Sequence, residues 1–194
     1  MRQQRVLVIA LAALVTLSCQ TTRLIDTWTP KDYEGTPYER LMVVGLSPNP
    51  GGRDRYENAF VDKLTNYGVL SVASINVVPE VEDIDRETVE SWLSEFTLHG
   101  VLVTRVNTTE PGRHYAPPHT SLAGWYNSWM QESSRAPSGE KFYLEADLFD
   151  AKTEELVYSG VVETKIKDDA METIHTVIDK LATDMVERGY FKGR

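Results

Sequence analysis

The sequence predicts an α/β fold: a single domain built on a mixed sheet of about five strands, ordered βαβαβ and then a β-hairpin, with a C-terminal helix. Three observations predict it. Short continuous apolar runs at 40–46, 69–78 and 100–106 read as strands buried on both faces. Apolar stripes of helical spacing lie between them. Two strictly alternating segments, 141–151 and 156–166, are joined by a turn.

The elements follow in chain order. Arg40-Leu-Met-Val-Val-Gly-Leu46 is the first core strand, and Ser47-Pro-Asn-Pro-Gly-Gly52 is a turn cluster. Over 53–67, Tyr56, Phe60, Leu64 and Tyr67 form one helical stripe, and Gly68 supplies the stop. The second strand is placed at 69–78, limited by Pro79. A second helix over 83–97 turns Val89, Trp92, Leu93 and Phe96 to the core, and Gly100-Val-Leu-Val-Thr-Arg-Val106 is the third strand.

After Asn107 the pattern changes. The segment 108–139 holds four prolines and three glycines, and it reads as a long loop with a short helix at 122–131. The hairpin follows, with Asp150-Ala-Lys-Thr-Glu-Glu155 as its turn. In its first strand Phe142, Leu144, Ala146 and Leu148 share one side, and Tyr143, Glu145, Asp147 and Phe149 the other. Met171, Ile174, Ile178, Leu181 and Met185 form the stripe of a last helix over 168–188.

Cys19 is the only cysteine, so no internal disulfide is possible. It ends an apolar run from Val6 to Ser18 that follows Arg2 and Arg5, the pattern of a secretory signal. That run is too short to span a bilayer comfortably. Val15-Thr-Leu-Ser-Cys19 resembles the bacterial lipobox, with Ser18 at the small position and Thr16 where the usual leucine stands. The resemblance implies cleavage before Cys19, a lipid on its sulfur and an acyl chain such as palmitate on its new amine. The other reading of the run is a plain secretory signal or an uncleaved anchor. The expected organisation is a lipoprotein signal peptide at 1–18, a lipidated N-terminus and tether at 19–39 with one short strand at Leu24–Trp28 and Trp28 packed on the domain edge, and the α/β domain at 40–194. Gln20 rather than aspartate after the cysteine is similar to outer-membrane sorting in Gram-negative lipoproteins, with the domain facing the periplasm.

Removing 1–18 takes away two arginines and leaves 176 residues, with 18 basic side chains against 29 acidic ones, a net charge of −11. So acidic a body argues against nucleic-acid binding, which needs a basic footprint. The expected membrane contact is through the acyl chains alone, and basic partners are preferred.

Two segments carry a wider resemblance. One is the strand, turn and helix from Met42 through Arg53-x-x-x-Glu57. The other is the hairpin Leu148-Phe-Asp-Ala-Lys-Thr-Glu-Glu-Leu-Val-Tyr-Ser-Gly160. That hairpin resembles the D-A-x-T-G-x-L-V-W-x-G pattern of envelope lipoproteins, with Glu154 in place of glycine and Tyr158 in place of tryptophan. Together the two segments resemble a poorly characterised group of bacterial envelope lipoproteins. The α/β fold this implies is similar to the N-terminal domain of the Tol-system periplasmic protein and to curli-secretion lipoproteins. The matching motifs are structural, so the resemblance transfers no catalytic residue.

No reaction chemistry stands out. The 45–52 segment follows a strand and opens a helix, but it lacks both glycine-rich phosphate fingerprints, and Pro48 and Pro50 remove two amides. His114 and His119 with Glu110 fit no zinc spacing, and His99 and His175 lie elsewhere. There is no G-x-S-x-G elbow. Glu154/Glu155 and Asp168/Asp169 read as solvated turn and helix-start charges. The expectation is therefore no enzyme, no cofactor and no metal. The candidate working surface is the 108–139 loop, with Tyr115, Trp125, Tyr126 and Trp129 as contacts for an envelope protein. A packed lid is the other reading of that loop. The alternative function is a periplasmic enzyme or a small-ligand or glycan-binding protein that uses the loop as a lid, with its pocket beyond Leu46, Ile75 and Val106.

Overall fold

The computed structural model describes residues 22–34, 37–47, 50–80, 84–107, 121–122, 141–165 and 169–192. Its strands are β1 (Arg23–Trp28), β2 (Arg40–Leu46), β3 (Leu70–Ala73), β4 (Gly100–Asn107), β5 (Phe142–Asp150) and β6 (Leu156–Thr164). Its α-helices are α1 (Pro50–Thr65), α2 (Arg86–Glu95) and α3 (Ala170–Glu187). The strands form one mixed sheet in the order β1-β6-β5-β4-β2-β3. β2 pairs parallel with β3 and β4, and the remaining pairs are antiparallel.

Crossover handedness explains the two-sided core. The chain moves outward from β2 to β3 and then back past β2 to β4. Right-handed connections in opposite directions must put their helices on opposite faces. Phe60 and Leu64 of α1 accordingly join Leu41, Val43 and Leu102 in one cluster, which Ile178, Leu181 and Met185 of α3 complete. Val89 and Trp92 of α2 pack on the other face with Met42, Val44, Val101, Val103 and Phe149.

The 122–131 helix lies outside the described residues except for Leu122; the other expected elements are present, with corrected boundaries. α1 starts at Pro50, because proline in a first helical turn forgoes an amide bond that would be unmade anyway. β3 is shorter than the 69–78 reading. It gives way at Ser74 to a single 3-10 turn, Ser74–Asn76, whose polar groups are drawn to α1. α2 and α3 are capped by Asp85 and Asp169, whose carboxylates accept from the Thr88 amide and from the Met171 and Glu172 amides.

The strand expected at Leu24–Trp28 is present as β1, one residue longer, and it adds to β6 antiparallel as the sixth strand of the sheet. Residues 29–34 and 37–39 after it pack on the domain. A bulge between Leu24 and Asp26 lets Leu24 pack on the α1/α3 face and Trp28 on the α2 face. Tyr33 then stacks on Tyr190 with ring centroids 4.4 Å apart. The Tyr38 amide donates to the Tyr190 carbonyl (2.8 Å), and its hydroxyl to Asp150 Oδ2 (2.9 Å). Tyr158, on β6, completes this aromatic knot and donates to Asp184 Oδ2 of α3 at 2.9 Å.

Both faces of β5 are buried, Glu145 and Asp147 included.

In the hairpin turn Asp150 Oδ1 accepts from the Lys152 and Thr153 amides, both at 2.9 Å. Glu154 then takes φ = 57°, the left-handed region that disfavours any residue with a Cβ. That is the position where the resembled hairpin carries glycine. Glu154→Gly is expected to raise the unfolding free energy by up to about 1 kcal/mol, read from urea denaturation.

Candidate functional site

The ends of the strands meet two polar clusters and one cavity. The first cluster is built on α1. Arg53 and Glu57 lie one helical turn apart and are 1 % and 0 % exposed. Glu57 Oε1 accepts from Arg53 Nε (2.8 Å), the Gly45 amide (2.7 Å) and the Ser74 hydroxyl (2.9 Å), while Oε2 accepts from the Ile75 amide (2.7 Å). The two terminal nitrogens of Arg53 donate to the Pro79 carbonyl and the Ser74 hydroxyl, each at 2.8 Å. A buried ion pair is tolerable only when its polar atoms are also hydrogen-bonded, and here every guanidinium nitrogen and both carboxylate oxygens have a partner. Gly45 is required beside it, since a Cβ there would stand 3.3 Å from Glu57 Cγ. The Gly45 amide is also spent on Glu57, which removes it from any phosphate cradle.

The second cluster lies on the other face of the sheet. Arg105 of β4 pairs with Glu145 of β5 (Nε to Oε2, 2.5 Å), and Asp147 follows two residues on. Burial and then the Glu145 charge push the Asp147 carboxyl well above the ordinary range. The facing Ser159 and Arg105 offset only part of this. Neither Asp147 Oδ1 nor the Ser159 hydroxyl makes a hydrogen bond of ordinary geometry, in keeping with that partial offset. One arginine thus faces two carboxyls, and the burden of the unmatched one falls on Asp147, whose pKa is raised.

The cavity lies on the α1/α3 face, at the end of the sheet where β2 and β4 finish, and has a volume of about 380 Å³. Leu46, Val106, Phe142, Leu144, Ile174 and Val177 give it a mainly apolar wall. Arg53 reaches the wall with all three of its side-chain nitrogens already donating. The Tyr56 hydroxyl is buried there without a hydrogen bond of ordinary geometry, and burial pushes its phenol up. The rule for ligand sites in parallel sheets pointed beyond Leu46, Ile75 and Val106. Leu46 and Val106 do line the cavity; Ile75 instead serves the Arg53–Glu57 cluster.

The sequence-derived candidates fall as follows. Cys19, the 1–18 signal, and the loop residues Tyr115, Trp125, Tyr126 and Trp129 lie outside the described residues, as do His114 and His119. The described part of the loop is Ser121 and Leu122. Ser121 bridges Glu155, and Leu122 is buried in the α2-face cluster. They sit at the hairpin-turn end of the sheet, opposite the end where β4 stops and β5 begins. His99 and His175 are exposed on separate elements, and among the described residues no group of three metal-ligating side chains occurs. Sequence reading missed the inward Glu145/Asp147 pair and the far wall of the cavity. The i,i+4 spacing of Arg53 and Glu57 was the visible trace of the first cluster.

No protein-family model matches the chain, and no curated protein matches it. Among solved structures, a PelC dodecamer from Paraburkholderia phytofirmans is 11% identical, with a TM-score of 0.46 over 90% of this chain and 99% of that one. A variant PelC dodecamer from the same organism is 13% identical, with a TM-score of 0.45 over 84% and 96%. Lipoprotein GNA1162 from Neisseria meningitidis is 15% identical, with a TM-score of 0.42 over 76% and 98%. Likenesses this distant carry no argument about what the chain binds.

Two outcomes are expected. Glu57→Ala leaves Arg53 buried without its carboxylate and should cost about 3–5 kcal/mol in urea unfolding. Asp147 has a folded pKa above its unfolded one, so its stabilising contribution is full below the unfolded pKa and fades as pH rises toward the folded value. Asp147→Asn should therefore raise the thermal midpoint more at mildly alkaline pH than at pH 5, and flatten the pH dependence between them.

Proposed function

We propose that this chain is a lipid-anchored protein of the bacterial envelope that works by binding rather than by catalysis. The observation that carries the reading is how the polar groups at the strand ends are used. Arg53, Glu57 and Ser74 converge there, as catalytic groups would, but each is committed to the others and to backbone atoms. What remains beside them is an apolar hollow, which suits recognition of apolar groups better than proton or group transfer.

The anchor in this reading is lipid on Cys19, with Gln20 directing the protein to the outer membrane and the domain facing the periplasm. Among the described residues no helix is long and apolar enough to cross a membrane. The partner surface in this reading is the 108–139 loop, with Tyr115, Trp125, Tyr126 and Trp129 meeting an envelope protein. A small-ligand reading draws on a separate observation, the cavity itself, whose wall includes the buried Tyr56 hydroxyl.

Cys19→Ser tests the anchor. The wild type is expected in the membrane fraction with a lipid mass on its N-terminal peptide, and the variant in the soluble fraction without one. A variant that still sediments with membranes, beside a wild type free of lipid, would overturn the reading.

A further inference from the structure

We infer that the apolar cavity receives one of the acyl chains carried by Cys19 of the same molecule. The inference rests on the lipidation reading above and gives that lipid a second place to lie.

Chain geometry brings the two together. β1 runs antiparallel to β6, so its first residue, Arg23, stands opposite Glu163 at the end of the sheet where the cavity lies. One residue earlier, Thr22 is buried, with Oγ1 2.7 Å from Oγ1 of Thr164. Thr164 is part of the cavity wall. Thr22, the first described residue, thus lies beside the cavity. Cys19 precedes Thr22 by three residues, which span at most about 11 Å when extended. A lipid on Cys19 therefore enters the chain's surroundings within reach of this wall.

The chemistry of the cavity agrees. Leu46, Val106, Phe142, Leu144, Ile174 and Val177 offer an apolar wall, and the charged group of Arg53 is already engaged through all three nitrogens. A volume of about 380 Å³ falls in the range of roughly 300–1,000 Å³ that small-ligand pockets occupy. An acyl chain in a bilayer is already out of water. Entering the cavity gains by taking the cavity's own apolar walls out of water as well. A chain tied on by three residues also has an effective concentration in the millimolar range, which favours it over a free lipid. Stable anchoring needs two acyl chains, and triacylation supplies three, so one can leave the bilayer without releasing the protein. The cavity end of the domain would then face the membrane.

The test uses the full chain made in cells fed a fatty acid with a terminal diazirine. The purified protein is irradiated and the new bonds are mapped by peptide mass spectrometry. The expected result is an intramolecular bond from the Cys19 lipid to peptides bearing Leu144, Ile174 or Val177. Filling the cavity with Val177→Trp should abolish that bond while the protein still fractionates with membranes. Ile174→Trp, at a half-buried wall position, serves if the first variant does not keep its thermal midpoint. Labelled Cys19 that bonds only to bilayer lipid or to other faces overturns the inference and leaves lipidation standing. A chain with no label on Cys19 overturns both. A Cys19→Ser chain whose cavity bonds diazirine-labelled phospholipid as strongly as the wild type bonds its own lipid would assign the cavity to a bilayer lipid, and would also overturn the inference.

Discussion

The buried Arg53–Glu57 pair is the constraint on which the parallel half of the sheet depends. Two charges without water are stable only where their polar atoms find partners. Meeting that demand here takes the amide of Gly45 at the end of β2, the hydroxyl of Ser74 and amide of Ile75 after β3, and the carbonyl of Pro79. One helix turn of α1 therefore fixes three separate backbone segments relative to one another. The same demand ends β3 after four residues, because Ser74 and Ile75 turn toward Glu57 instead of continuing the ladder. It also sets the shape of the neighbouring cavity, since Arg53 lies in its wall.

The antiparallel half is held differently. Its opposite end carries aromatic rings rather than charges: Tyr33, Tyr38, Tyr158 and Tyr190 gather where β1 ends, β6 begins and α3 finishes. Their hydroxyls are not idle, since those of Tyr38 and Tyr158 donate to Asp150 and Asp184. Burial pushes the Asp150 carboxyl up, yet the Thr153 amide and the Tyr38 hydroxyl more than offset this and hold it below its usual range. By linkage that stability is present above the unfolded pKa and is lost as pH falls through the folded one. Asp147 runs the other way, so the two carboxyls of one strand oppose each other in pH dependence.

The two ends of the sheet thus differ in character. The aromatic end closes the segment after β1 and the end of α3 onto the domain. The other end opens into the apolar cavity, and Thr22 is buried beside it against Thr164. A domain that joined its anchor through a long polar linker would have no preferred orientation at a membrane. Here only residues 20 and 21 separate Cys19 from the buried Thr22, so a lipid on Cys19, as proposed above, would be tethered close to the cavity.

Local pattern by itself determined most of the elements. The apolar runs of β2 and β4, the stripe of Phe60 and Leu64, and the alternation of β5 and β6 depend on period, and period is written in consecutive residues. The lipobox-like run before Cys19 is equally local. Other features depended on partners distant in sequence, and only the tertiary structure decided them. The short strand legible at Leu24–Trp28 becomes part of the sheet because β6 lies beside it and because Tyr190 holds Tyr33 and Tyr38, more than 150 residues away. The alternation of β5 puts Glu145 and Asp147 on one side, but that this side is buried is decided only by Arg105 and the core layer placed against it. The cavity draws its wall from β2, β4, β5, β6, α1 and α3 at once, and no stretch of the chain contains it. Periodicity records which way a side chain points along its own element. What it meets there is set by how the elements pack.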